Sequence, residues 1–99
     1  MVNLNSKQRA YLRSLANNLQ PIFQVGKGGV NENMTKQIGE ALEVREIIKA
    51  TVLKTALVDA KSVAAEIAEA LDANVVQVIG SKVVLYKESK ENKKIILPW

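Results

Sequence analysis

The chain has 99 residues, with 14 Lys+Arg against 10 Asp+Glu, and contains neither histidine nor cysteine. The length suits one domain over residues 1–99, and the missing residue types exclude a disulfide framework, a thiolate metal site and the commonest general acid/base. No apolar run is long enough to span a membrane, and the amino terminus MVNLNSKQRAYL lacks the apolar core of a signal peptide, so a soluble, cytoplasmic, non-catalytic module without a cofactor is expected.

Ser6 is placed to cap a first helix, with Leu12, Leu15, Ala16 and Leu19 as its buried stripe and Leu4 packing from outside. Arg9 and Arg13, four apart, share a face of this helix, with Lys7 nearby. Pro21 is expected to end it, because proline removes a backbone donor and drives the preceding residue out of α. Ile22–Val25 then reads as a short buried strand, followed at once by Gly26-Lys27-Gly28-Gly29.

Asn31 can cap a second helix with Met34, Ile38, Ala41 and Leu42 inward and Glu32, Lys36, Glu40 and Glu43 opposite. Gly39 inside it costs roughly 1 kcal/mol against alanine. A second strand over Ile47–Leu53 is rich in β-branched residues. Asp59 or the nearby Lys61-Ser62 begins a third helix reaching about Leu71, with Val63, Ala64, Ile67, Ala70 and Leu71 inward. Strands Val75–Ile79 and Val83–Tyr86 follow, linked by Gly80-Ser81-Lys82, a hairpin of type II′ if two residues form the loop. A polar, basic stretch from Lys87 to Lys94 leads to Ile95-Ile96-Leu97-Pro98-Trp99. The order α-β-α-β-α-β-β predicts an α/β fold in two layers, helices on a four-stranded mixed sheet.

Charge is unevenly distributed. Residues 1–30 hold Lys7, Arg9, Arg13 and Lys27 without an acid; residues 31–80 hold five bases and eight acids; residues 81–99 hold Lys82, Lys87, Lys90, Lys93 and Lys94 against two glutamates. If the ends meet, they form one basic face able to recruit a polyanion.

The glycine loop sits between a strand end and a helix start, where glycines allow close approach to a ligand and the first helical N–H groups point outward. Gly26-Lys27-Gly28-Gly29 has the G-x-x-G spacing with which KH-type loops clamp a nucleic-acid backbone. A P-loop would need G-x-x-x-x-G-K-[ST], which is absent, and a dinucleotide fingerprint fails at Asn31. A purely geometric turn is the plain alternative. Glu40, Glu43 and Glu46 are spaced three apart, but with no His or Cys to complete a site they read as a solvated helix face. Asp59 reads as a helix cap, and Lys49 and Lys54 as outward charges. Of the aromatics, Phe23 is expected in the core, and Trp99 as a hydrophobic lid in preference to a stacking residue. Only Tyr86 qualifies as an exposed strand aromatic, which disfavours base stacking on the sheet.

Two stretches carry a resemblance. One is Leu4-Asn5-Ser6-Lys7-Gln8-Arg9-Ala10-Tyr11-Leu12-Arg13 with Val25-Gly26-Lys27-Gly28-Gly29-Val30. The other is Gln77-Val78-Ile79-Gly80 with Val84-Leu85-Tyr86-Lys87 and Ser89-Lys90. Together they resemble the CRM domain family (chloroplast RNA splicing and ribosome maturation), in particular its stand-alone bacterial YhbY-type members, over about residues 3–98. The resemblance implies a fold similar to the carboxy-terminal domain of translation initiation factor three. It implies RNA binding through the G-x-x-G loop and a basic surface, and association with precursors of the large ribosomal subunit. Carried over by position, the loop falls on Gly26, Lys27, Gly28 and Gly29, the basic first helix on Lys7, Arg9 and Arg13, and the basic tail on Lys87, Lys90, Lys93 and Lys94. Ser81-Lys82 departs from an expected arginine-containing turn.

The leading expectation is thus a monomeric binder of ribosomal RNA that uses no metal, small-molecule substrate or membrane. Its net charge of +4 points to a structured or composite target. The alternative is a protein-interaction adaptor working through the acidic middle, with a small nucleotide-binding enzyme a distant third.

Overall fold

In the computed structural model, which describes residues 3–99, the first helix α1 spans Ser6–Ala16. Residues 1 and 2 of the expected 1–99 domain lie outside that description. Its cap is Asn5 rather than Ser6: the Asn5 side chain accepts the Gln8 amide at 2.8 Å and the Gln8 side chain accepts the Asn5 amide at 3.0 Å. This reciprocal pair needs an acceptor side chain three residues after the cap. Starting from Ser6 that position is Arg9, which can only donate. Nor does the helix run on to Pro21. It tightens into i→i+3 bonds, from the amides of Asn18 to the Leu15 carbonyl and of Leu19 to Ala16, and stops at two asparagines that favour turns.

Strand β1 covers Phe23–Val25, helix α2 Glu32–Arg45, strand β2 Ile47–Val52 and helix α3 Ala60–Leu71. Asn31 and Asp59 cap the second and third helices, accepting the Met34 and Ser62 amides at 2.8 and 2.7 Å. Strands β3, Asn74–Ile79, and β4, Lys82–Tyr86, form the hairpin. Ile79 pairs with Lys82 across a two-residue turn in which Gly80 has φ +56° and Ser81 keeps a negative φ, as type II′ requires.

The sheet order is β1-β2-β4-β3. β1 and β2 are parallel, joined by the α2 crossover, and β4 is antiparallel to both its neighbours. The α/β class and four-stranded mixed sheet are as expected, but the helices divide between the two faces and add a third layer. Val25, Ile48, Val52, Val83 and Leu85 pack against Ile38 and Leu42 of α2 and Ile67 of α3. Ile47, Val76, Val84 and Tyr86 pack on the other face against Leu12 and Ala16 of α1. Successive strand residues point to opposite faces, so β2 and β4 read as near-continuous apolar runs because both sides are covered. Gly39 lets α2 approach α3, since a Cβ there would come within 3.2 Å of the Leu71 side chain.

Beyond β4 the described residues form no helix or strand, yet they are held in place. Ile95 and Leu97 pack against the α1-side cluster, and the Gln8 carboxamide donates to the Pro98 carbonyl at 3.0 Å. Two expectations about aromatics are corrected here. Tyr86 is buried, 1% exposed, because it faces α1. Trp99 is 99% exposed and covers nothing, Ile95 and Leu97 having taken the lid position.

Candidate nucleic-acid interface

The glycine loop leaves β1 at Val25 and closes a turn with the Gly29 amide donating to the Gly26 carbonyl at 2.9 Å. The glycines play different parts. Gly29 has φ +66°, a conformation costly for any residue with a Cβ. Gly28 has no positive φ, and a Cβ built on it would meet nothing within 4 Å. What Gly28 contributes is bare backbone beside the exposed Lys27. Two residues on from Gly29, Asn31 takes up the Met34 amide, leaving the first-turn amides of Glu32 and Asn33 at the positive end of α2. The arrangement suits an anion such as a phosphate.

The eleven residues expected to form one basic face fall into separate regions. The loop follows Val25, whose partner Val52 ends β2, while the basic tail follows Tyr86, whose partner Ile47 begins β2. With about 3.3 Å of rise per residue, those ends lie roughly 17 Å apart. The first helix and the tail do meet, but at the far end from the loop: α1 begins beside the tail, where Gln8 reaches Pro98. Exposed Lys7 and half-buried Arg9 and Arg13 lie on α1. The Arg9 guanidinium donates to the Val75 carbonyl at 3.0 Å, which anchors α1 to β3. Lys87 is half-buried and Lys90 and Lys94 are exposed. Lys93 is paired with Glu88 at 2.7 Å, and that hydrogen bond and charge raise its pKa.

The tail is organised by two carboxylates taken above as a solvated helix face, and here that expectation is corrected. Glu43 accepts the Ser89 hydroxyl at 2.6 Å and the amides of Lys90 and Glu91 at 2.9 and 3.1 Å. These bonds, the Ser89 hydroxyl foremost, lower its pKa to about 2. Glu46 is wholly buried at the end of α2 and accepts the amides of Ser89, Lys94 and Ile95 at 2.8, 2.6 and 2.8 Å. Burial, the largest single influence on it, pushes its pKa up. The amides of Ile95, Lys94 and Ser89, together with the charge of Lys93, outweigh burial and leave the pKa lowered. Glu46 also has φ +65° at the helix end, where glycine is usual. Its one visible signal in the sequence is a glutamate at the position of a C-terminal glycine.

A profile of the CRS1 / YhbY (CRM) domain matches residues 4–87. The Bacillus subtilis protein named "Probable RNA-binding protein YqeI" is 57% identical over 95 residues, covering 96% of this chain and 99% of that protein. A Haemophilus influenzae "RNA-binding protein" is 35% identical over 98 residues, covering 99% and 98%. The solution structure of the Staphylococcus aureus protein SAV1595 superposes with a TM-score of 0.80 at 57% identity, covering 97% of this chain and all of that one. With a glycine loop on an α/β sheet, a domain profile over most of the chain and relatives matched along nearly their whole length, the chain belongs to the CRS1 / YhbY (CRM) domain family, among its stand-alone bacterial members.

Proposed function

We propose that this chain is a non-enzymatic, cytoplasmic binder of ribosomal RNA that acts in assembly of the large ribosomal subunit. The Gly26–Gly29 loop takes a backbone phosphate, and Lys27 pairs with it. The observation that carries the proposal is the bare, unobstructed backbone at Gly28 next to an exposed lysine, at the start of α2. The RNA-binding names of the relatives support the polymer class. Contacts of this type position RNA without reading bases, so discrimination comes from RNA shape. The adaptor alternative loses ground, because Glu43 and Glu46 of the acidic middle are occupied by the tail.

Gly28→Asp is the decisive variant, since its Cβ has room and its backbone needs no left-handed φ. A carboxylate placed against a phosphate is expected to weaken binding at least about tenfold with the melting temperature unchanged. Labelled large-subunit ribosomal RNA, small-subunit ribosomal RNA and transfer RNA serve as probes in filter binding. Unaltered binding by the variant overturns the loop assignment; equal retention of all three RNAs overturns the large-subunit assignment.

A further inference from the structure

We infer that the RNA path leaves the glycine loop across the open half of the α1-side sheet face, with Lys49 and Lys82 pairing with its phosphates. This rests on the RNA-binding reading above and names the surface that continues its site.

The four strands carry no acidic residue, and their only charges are Lys49 in β2 and Lys82 in β4. Both lie on one face. Lys82 stands opposite Thr51, and its ammonium donates to the Thr51 hydroxyl at 3.0 Å. Lys49 is two residues from Thr51 on the same strand and therefore shares its side. That side is the α1 side, because Ile47, Val84 and Tyr86 share the alternation and pack under α1.

The helix covers only the half of the face nearer the tail. At the loop end, one rung across the sheet runs Gln24, Thr51, Lys82 and Ile79, as the strand registers dictate. Gln24 and Lys82 are exposed, Thr51 is half-buried and Ile79 is 60% exposed. This rung begins on β1, one residue before the strand hands over to the glycine loop. Neighbouring strands are about 4.8 Å apart, so Lys82 stands roughly 10 Å from the β1 edge, and Lys49 about 7 Å from Thr51 along β2.

Lys82 thus stands on an open sheet surface whose strands carry no acid, half-buried Lys49 lies one rung nearer α1 opposite the buried Val84, and exposed Lys27 follows β1 in the glycine loop. This charge pattern fits a polyanion lying across the open face. Tyr86 is buried and Phe23 packs on the α2 side, so the strands offer no aromatic on this face for base stacking, and it binds the sugar–phosphate backbone. The lysines of the tail lie at the other end of β2 and are not on this path.

The test is filter binding of end-labelled, fragmented total ribosomal RNA over a salt series. The proteins compared are the wild type, Lys49→Gln with Lys82→Gln, Lys49→Arg with Lys82→Arg, Lys90→Gln with Lys94→Gln, and Gly28→Asp. The sheet glutamine pair is expected to bind roughly tenfold more weakly and to flatten the slope of log K against log salt by about 1.4, at about 0.7 for each phosphate no longer neutralised. The arginine pair is expected to retain binding and the tail pair to stay close to wild type. If the sheet glutamine pair binds like wild type while Gly28→Asp does not, the path is wrong and the loop reading stands. If the tail pair flattens the slope as much as the sheet pair, the effect is general charge and the path is likewise overturned. If neither Gly28→Asp nor the sheet pair changes binding, the loop assignment falls and takes the path with it; if the wild type itself retains no RNA, the RNA-binding reading falls.

Discussion

Replacing Glu46 by glutamine should be among the most damaging single-atom changes available to this fold. The carboxylate has one oxygen on the amides of Lys94 and Ile95 and the other on the amide of Ser89. Glutamine keeps one acceptor and turns the other into a donor facing a donor. One charge-assisted bond, worth about 1.5–3 kcal/mol, is removed, and two more fall toward the neutral range of about 0.5–1.5 kcal/mol. A total near 3 kcal/mol is expected, which lowers the melting temperature of a domain this size by roughly 12–24 °C. Thermal unfolding by circular dichroism measures the total, and amide hydrogen exchange at Ser89, Lys94 and Ile95 localises it. A variant that melts within about 3 °C of wild type, with those three amides still protected, would refute the claim that Glu46 anchors the tail.

Acid should loosen the same segment through Glu43. Its pKa is about 2 in the folded chain against an ordinary 4.5, so its contribution is complete above pH 4.5 and lost as the pH falls through 2. An NMR titration should show the Lys90 and Glu91 amides moving with a midpoint close to 2, and a midpoint near 4.5 contradicts the hydrogen bonding described. The two loop glycines should also separate in stability measurements. Gly29→Ala, forced to hold φ +66°, is expected to cost about 1–2 kcal/mol, whereas Gly28→Ala should stay within about 0.5 kcal/mol; equal costs in chemical denaturation would count against the loop geometry.

Much of the fold was legible because its signals are local. Asn31 and Asp59 each precede an apolar period and cap as expected, and Gly80 marks the hairpin. Asn5 and Ser6 are both capping types, and only Gln8, three residues after Asn5, decides between them. The third layer left a trace in the unbroken apolar runs Ile47-Ile48 and Val83-Val84-Leu85-Tyr86, which one-sided burial does not require. The role of Glu43 and Glu46 left almost none. Their partners lie more than 40 residues away, as far as 49 for Glu46 and Ile95, and helical periodicity reads an acidic residue as solvent-facing. The glycine loop was visible as a motif, but its neighbours Lys49 and Lys82 were not. Strand alternation tells which residues share a side, and only the placement of α1 tells which part of that side stays open.

The position of Glu46 also orders events during synthesis. It stands near the middle of the chain, while every amide that satisfies its carboxylate lies between Ser89 and Ile95. A nascent chain that has made α1 through β4 but not yet released those residues lacks the amides that hydrogen-bond this carboxylate at a junction buried in the finished fold. The α1-side core, which packs Ile95 and Leu97, is therefore expected to close only when the tail is available. Its completion waits for residues that form neither helix nor strand, and their arrival turns a hydrated junction into an interior one.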